Sequence, residues 1–337
     1  MSGRSGGAIW RSLRGCCSRN VMSQPPWYAD RFLDAELALR VVASQFPAFA
    51  GATIDYLARG YDNDCYLVGE GEWIFRFPRR KNVVPWIEKE IALLPAVAEQ
   101  IGIAVPRFDY VGKPSADFPY PFVGYRKLPG EPWKPGVKID IEGSAKRLAE
   151  AMTKLHELPP SLLQNWTSPN DDWGPAEMML ELHSNLDKVR KAMPPDLLST
   201  FEPYWDGRIP APPNFEGERK LIHYDLSPEH VLFDPQTGLP TGIIDWADAG
   251  VGDPIHELGA FEYNFGRAYT EVYVENYRPR LTQESLDRMR FQLMVHAPVW
   301  LMYAKQNEEA DYEKHWGLIR KLAGASSRKF PLPSGEG

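Results

Sequence analysis

The stretch HYDLSPEHVLFD, residues 223–234, together with the apolar run that follows it, constrains the fold of this chain more than any other feature. Two short β-rich runs flank a turn that contains proline and glycine, so the sequence predicts a β-hairpin. An antiparallel hairpin brings the residue that enters its first strand beside the residue that leaves its second. We therefore expect His230 and Asp245 to meet at the open end of the hairpin, with Asp225 in the loop that leads into it.

The remaining elements predict an α+β fold in two lobes. A chain of 337 residues exceeds the usual size of one compact core. A helical pattern opens the folded part, and five short β-rich runs with one helix between the third and the fourth follow it, which favours a five-stranded antiparallel sheet. The Pro- and Gly-rich LPGEPWKPG looks like a connector, and mainly helical patterns follow it. The predicted bounds are an N-terminal lobe over 30–124, a connector over 125–134, a C-terminal lobe over 135–325 and a tail over 326–337.

With these pieces in order, the chain resembles the aminoglycoside phosphotransferase family, whose fold is that of the protein kinases. The resemblance is carried by HYDLSPEH, the hairpin and IIDWADAGVGDP, which match H-x-D-x-x-x-x-N/H followed by I-D-[WFL]-x-x-[AS]-x-x-G-D-P. His230 and the NDCYLV…WIFRFPRR lobe are most similar to the aminoglycoside 2''-phosphotransferase and macrolide phosphotransferase branch. The resemblance implies a bilobal, protein-kinase-like fold in which the N-terminal lobe binds the nucleotide and the C-terminal lobe holds the catalytic and substrate residues.

The residue types of the motif suit phosphoryl transfer. This chemistry needs a carboxylate that accepts or orients a hydroxyl proton, ligands for a divalent metal on the phosphates, and a cation near the phosphate oxygens. Asp225 fits the first role as the catalytic residue. His230 and Asp245 fit the second as ligands of Mg²⁺, although a protein kinase uses an amide where this chain has His230.

The nucleotide site predicted from the resemblance departs from the kinase pattern in its cation. Arg76 occupies the strand position where a lysine is expected, with Glu90 on the following helix. Either Arg76 contacts the phosphates or the register of this strand differs by a few residues, and an ordinary surface ion pair between Arg76 and Glu90 is a further alternative. No glycine-rich phosphate loop is present, so the turn before Asn63 must cover the nucleotide. The base of ATP or GTP is expected at the connector, through backbone groups of the residues that begin it, which are Tyr125, Lys127 and Leu128.

Charge and cysteine usage limit the partners. The formal net charge is −7, and the first 22 residues carry four arginines and no acid, so the rest is more acidic still. This balance disfavours a nucleic-acid partner. No apolar run approaches the roughly 20 residues of a membrane helix, so we expect no membrane partner. Three cysteines at these spacings form no disulfide framework, which favours the cytoplasm. Residues 1–22 are either a transit peptide or a disordered extension before a start at Met22, and we favour the extension.

The sequence predicts a small-molecule kinase that transfers the γ-phosphate of ATP or GTP to a hydroxyl of an aminoglycoside-, macrolide- or sugar-like acceptor. Two other classes of protein remain open. One is a kinase-like nucleotide-binding module without efficient turnover, which an intact Asp225 and Asp245 argue against. The other is a metal-dependent hydrolase built on the histidines and acids of the motif, which would leave the N-terminal lobe without a purpose. The sequence does not indicate an oligomeric state.

Overall fold

The computed structural model describes residues 30, 33–60, 62–134, 136–166, 174–307 and 309–325. The expected N-terminal extension and C-terminal tail lie outside these residues. The N-terminal part is a sheet of five antiparallel strands with two helices. Its elements in chain order are α1 (Ala35–Gln45), β1 (Ile54–Arg59), β2 (Asn63–Val68), β3 (Trp73–Pro78), α2 (Val84–Gln100), β4 (Tyr110–Gly112) and β5 (Phe122–Arg126). The strands lie in the order β1-β2-β3-β5-β4.

The C-terminal part is mainly helical and carries short strands around the motif. Its elements are β6 (Glu131–Pro132), α3 (Ile141–Glu157), α4 (Pro175–Ala192), α5 (Leu198–Trp205), β7 (Lys220–Ile222), β8 (Val231–Phe233), β9 (Pro240–Ile243), β10 (Gly250–Gly252), α6 (His256–Phe265), α7 (Arg267–Asn276), α8 (Gln283–Asn307) and α9 (Glu309–Ala325). The strands β6-β8-β9 form one sheet and β10-β7 another. Among the described helices, none is long and apolar enough to cross a bilayer.

The predicted α+β fold class is confirmed, with one lobe built on the five-stranded sheet and a helical second lobe. The predicted hairpin is also confirmed, because β8 and β9 pair in antiparallel register. The helical pattern of the sequence starts at Asp30, whereas the first helix begins at Ala35. It begins there because the Asp34 side chain accepts a hydrogen bond from the amide of Leu37 and caps the helix. Gly266 has a positive φ of +81° and separates α6 from α7.

Alternation along β2 and β3 places the core and the interlobe cleft on opposite faces of the sheet. Every second side chain is buried against α1 in an aromatic core. The members of this core on the two strands are Tyr66, Val68, Phe75 and Phe77. The ladder pairs Cys65 with Arg76, so both of these side chains point to the other face, toward the second lobe. This register places the Arg76 side chain in the candidate site.

Helix α2 belongs to the core of the second lobe although it follows strand β3 in the chain. Its residues Leu93, Leu94 and Val97 are fully buried in the hydrophobic cluster that includes the hairpin and the C-terminal helices. The same helix carries Glu90 on the side toward the sheet, where it meets Arg76. Helix α2 is therefore the element that joins the two lobes next to the site.

Candidate active site

The loop between β7 and β8 presents Asp225 at the mouth of the hairpin. The backbone enters this loop through Tyr224, whose φ is +65°. His223 Nε2 lies 3.0 Å from the carbonyl oxygen of Ile244, and His223 Nδ1 accepts a hydrogen bond of 3.3 Å from the amide of Asp225. A neutral imidazole with its proton on Nε2 satisfies both contacts, and burial lowers the pKa of His223. These two contacts hold the loop in place.

His230 lies between the two carboxylates of the motif. Its Nδ1 donates to the backbone carbonyl of Asp225 at 2.8 Å, which leaves Nε2 facing Asp245, with 3.8 Å between Nε2 and the carboxylate Oδ2. The carboxylate Oδ2 of Asp225 lies 3.5 Å from Nδ1. The expected meeting of His230 and Asp245 at the hairpin mouth is confirmed, and Asp225 belongs to the same patch.

Burial and neighbouring charges shift the pKa values of Asp225 and His230. Burial raises the pKa of Asp225 well above its ordinary value, and the nearby His230 opposes that rise. Burial alone would lower the pKa of His230, but the carboxylates of Asp225, Asp245 and Glu229 outweigh it and raise this pKa to about 9. A positively charged His230 beside Asp225 favours the ionised carboxylate, which is the form that can accept a proton from a hydroxyl.

The turn that follows the hairpin puts Asp245 in the left-handed region, with φ 63° and ψ 63°. An aspartate tolerates this conformation better than most residues, and such strain costs on the order of 1–3 kcal/mol and concentrates at functional sites. The next residue, Trp246, is fully buried and donates through Nε1 to the carbonyl of Ile243 at 3.1 Å. The side chain of Asp245 is 41% exposed, so its carboxylate is accessible to a ligand from the cleft.

Arg76 and Glu90 form a buried bidentate ion pair, with NH1–Oε1 and NH2–Oε2 distances of 3.0 and 3.1 Å. The alternative of a surface pair is wrong, because Arg76 is 6% exposed and Glu90 is 0% exposed. Arg76 NH2 also lies 3.9 Å from Asp245 Oδ1. Burial alone would lower the pKa of Arg76, but Glu90 and Asp245 outweigh it and raise this pKa, so the guanidinium stays charged.

The turn between β1 and β2 is held by the two arginines that follow β3. The Arg80 side chain pairs with Asp62 at 2.5 Å, and the amide of Arg79 donates to the carbonyl of Asp62 at 2.8 Å. A further bond of 3.1 Å joins Arg79 NH1 to the carbonyl of Gly60. Asn63 is buried, and its Oδ1 has no hydrogen-bond partner among the described atoms. Asn63 therefore retains hydrogen-bonding capacity for a ligand.

The beginning of the connector lies against both lobes. Tyr125 is 5% exposed and pairs with Ile74 of β3 on the cleft side of the sheet, two residues from Arg76. Burial raises the pKa of Tyr125, so it remains a neutral phenol. The amide of Lys127 donates to the carbonyl of Glu72 at 2.8 Å, which commits that N–H to the sheet. Leu128 packs toward the hairpin, because a Cβ placed on Gly242 would lie 3.3 Å from Leu128 Cδ1.

Two buried residues of the site were missed by reasoning from the sequence. Glu257, at the start of α6, is 0% exposed and accepts a hydrogen bond from the amide of His223. Lys89 is 1% exposed, and its Nζ donates to the carbonyl of Ala249 at 2.5 Å. Glu257 lies in the GDPIHEL stretch beside the motif, which offered a local clue. Lys89 offered none beyond its position next to Glu90.

The fold and the site together define the class of the protein, a phosphotransferase with the architecture of a kinase. The chain belongs to the phosphotransferase enzyme family APH, because the model of that family matches residues 53–292, more than half of the chain.

The chain is also similar to three individual proteins. The chain is 26% identical over 230 residues to the uncharacterized protein YcbJ of Bacillus subtilis (strain 168), a match that spans 61% of this chain and 67% of that protein. It is similar to the GDP and kanamycin complex of APH(2")-IIIa, with a TM-score of 0.68, 26% identity, and coverage of 85% and 98% of the two chains. A macrolide 2'-phosphotransferase type I has a TM-score of 0.55 at 22% identity, covers 86% and 97%, and shows the fold alone.

Proposed function

We propose that this protein transfers the γ-phosphate of ATP or GTP to a hydroxyl group of a small-molecule acceptor of the aminoglycoside, macrolide or sugar type. One observation carries the proposal. A buried carboxylate, Asp225, lies beside the His230–Asp245 pair, and Arg76 lies 3.9 Å from the same Asp245. A base, a pair of metal ligands and a cation thus occur together in one cleft, which is the set that phosphoryl transfer requires.

Asp225 accepts the proton of the acceptor hydroxyl in the proposed reaction. The hydroxyl oxygen then forms a bond to the γ-phosphorus, the bond between that phosphorus and the β–γ bridging oxygen breaks, and the nucleoside diphosphate leaves. The loop that carries Asp225 is fixed by His223 on one side and His230 on the other, so the carboxylate is positioned before substrate arrives. Positioning of this kind supplies much of the rate enhancement in phosphoryl transfer.

Arg76 provides the cation for the phosphate oxygens. Its bonds to Glu90 use one N–H from each terminal nitrogen, so the other N–H groups of the guanidinium remain for a phosphate. Asn63 offers its unpaired Oδ1 as an acceptor for a donor group of the nucleotide, and we expect the base at the connector residues Tyr125, Lys127 and Leu128. Since the Lys127 amide is committed to the sheet, we expect base recognition through its carbonyl and through the backbone of Leu128.

The donor atoms at the hairpin mouth fit a magnesium ion that is shared with the nucleotide. Asp245 offers an accessible carboxylate, and His230 would offer Nε2 on the same side once that nitrogen has lost its proton, which a bound cation favours. Mg²⁺ is usually held by one or two protein ligands together with phosphate oxygens and water. When bound, the ion would neutralise charge on the phosphates. Among the described residues, no three histidines, cysteines or acids come together as a metal cluster, so the hydrolase alternative gains no support from the structure.

The comparisons support the acceptor class. One similar structure holds GDP and kanamycin, and another of the same fold is a macrolide 2'-phosphotransferase, which favours acceptors of these two kinds. A nucleoside triphosphate donor also fits the expected cytoplasmic location. A phosphotransfer screen with ATP and GTP against aminoglycosides, macrolides and sugar or amino-alcohol metabolites tests the proposal directly. Product with none of these acceptors, despite tight binding of the magnesium nucleotide, would favour a binding module.

The variant Asp225→Asn tests the role of the base in the same assay. We expect turnover to fall by about 10²- to 10⁴-fold while nucleotide affinity stays the same, because a general base contributes this much and does not hold the phosphates. Calorimetric titration of nucleotide into both proteins supplies the affinity. Near-normal transfer by the variant would remove Asp225 from the catalytic role.

A further inference from the structure

Helix α2 forms hydrogen bonds with both ends of the turn that follows Asp245. The amide of Trp246, the first residue of the turn, donates to Glu90 Oε1 at 3.2 Å. At the other end the carbonyl of Ala249 accepts from Lys89 Nζ at 2.5 Å. Lys89 and Glu90 are neighbours in the sequence, so one turn of helix holds both ends of the segment 246–249. The segment cannot move away from α2 without breaking both contacts.

The burial of Lys89 needs an explanation. An ammonium group that is 1% exposed loses its hydration, and this loss is unfavourable unless hydrogen bonds compensate for it. An apolar side chain of similar size often stabilises such a position at least as well. The helix around Lys89 is otherwise anchored by apolar contacts, since Leu93, Leu94 and Val97 pack into the core of the second lobe. A charged donor at this position therefore serves a need other than the packing of α2.

The contact with Ala249 supports the strained conformation of Asp245. A residue in the left-handed region keeps that conformation only when its surroundings fix it. The amide of Ile244, before Asp245, donates to the carbonyl of His230 at 2.9 Å, which fixes one side. On the other side the turn is fixed by its two contacts with α2. Without Lys89, the turn would lose one of these two hydrogen bonds to the helix.

We propose that Lys89 is a positioning residue, which holds the turn 246–249 against α2 and so presents the Asp245 carboxylate in the orientation that binds the nucleotide-associated metal. This inference rests on the proposed phosphotransferase function for the metal, but its structural part concerns this chain alone. Residues that orient a metal ligand without touching the metal commonly change metal affinity by about 10- to 100-fold.

The test compares the wild type with Lys89→Met, which keeps the length of the side chain and removes the donor. Lys146→Met is the matched control, because Lys146 is an exposed lysine in the middle of helix α3. The first measurement is hydrogen exchange of the amides in 246–249 without nucleotide or metal. We expect exchange about tenfold faster in Lys89→Met, since a hydrogen bond to a charged group contributes on that order. Exchange in α8 should change much less.

The second measurement is the Mg²⁺ concentration that gives half-maximal phosphotransfer at saturating nucleotide and acceptor. We expect a rise of about tenfold in Lys89→Met, with the KM for the acceptor unchanged, and no change in Lys146→Met. If Lys89→Met does not fold, Lys89→Gln, which retains a donor but no charge, should show both effects at reduced size.

Unchanged exchange in 246–249 would overturn the proposal, and so would faster exchange with an unchanged Mg²⁺ requirement, because Lys89 would then stabilise the turn without setting the metal ligand. A wild-type protein that transfers no phosphate counts against the proposed function instead. The exchange measurement still decides whether Lys89 holds the turn, because it uses neither nucleotide nor metal.

Discussion

The buried pair of Arg76 and Glu90 should behave as one thermodynamic unit. We expect each of the single variants Arg76→Met and Glu90→Gln to destabilise the fold strongly, and the double variant to be less destabilised than the sum of the two. The glutamine at position 90 keeps an oxygen that can accept the amide of Trp246, so the cycle isolates the ion pair from that contact.

The size of the expected coupling free energy follows from the geometry and burial of the ion pair. The two hydrogen bonds of 3.0 and 3.1 Å are bidentate, and Arg76 and Glu90 are 6% and 0% exposed. Removing one partner of such a pair leaves an uncompensated buried charge and costs about 3–5 kcal/mol. Asp245, with 3.9 Å between its Oδ1 and Arg76 NH2, offsets part of this cost in the Glu90→Gln variant. We therefore expect a coupling free energy of about 2 kcal/mol or more between the two positions.

Urea titration of the four proteins gives the free energies of unfolding for this cycle. The control is the pair of Arg320 and Asp196, which has the same bidentate geometry at 2.8 and 3.1 Å but side chains that are 40% and 57% exposed. A parallel cycle with Arg320→Met and Asp196→Asn should show weak coupling, because water and salt screen exposed charges. Equal coupling in the two cycles would refute the argument that burial makes the Arg76–Glu90 pair strong.

Three further predictions concern other parts of the protein. His230→Asn should keep substantial turnover, whereas His230→Ala should raise the Mg²⁺ concentration for half-maximal turnover about tenfold; an unchanged requirement in the alanine variant would assign His230 to the loop alone. Arg80→Met removes the ion pair with Asp62 in the turn beside Asn63 and should raise the KM for nucleotide more than the KM for the acceptor; equal changes in the two KM values would argue against it. Burial lowers the pKa of His315 from 6.5 to about 4, so its contribution to stability is complete above pH 6.5 and is lost as the pH falls toward 4. His315→Gln should lose less stability between melts at pH 7 and pH 4.5, and equal losses would contradict this.

The parts of the site that the sequence predicted depend on local patterns. The hairpin brings His230 and Asp245 together through pairing of strands that are close in the chain, and its turn residues and β-rich runs are visible in the sequence. Alternation along β3 likewise places Arg76 on the face opposite the aromatic core. The contact of Lys89 with Ala249 spans 160 residues and depends on how α2 packs in the second lobe. No local sequence pattern predicts such a contact, so the role of Lys89 could be inferred only from the structure.

Arg76 links the sheet to helix α2, and through Glu90 to the turn after the hairpin, before any ligand binds. A lysine ammonium is a single point charge, whereas a guanidinium is a planar fork that bonds both oxygens of a carboxylate. Arg76 uses this fork on Glu90 and still directs NH2 toward Asp245, 3.9 Å away. Glu90 in turn accepts the amide of Trp246, so its carboxylate connects β3 to the turn. The cation and the metal ligand of the proposed reaction are therefore held by one buried carboxylate, and a change at Glu90 should disturb both together.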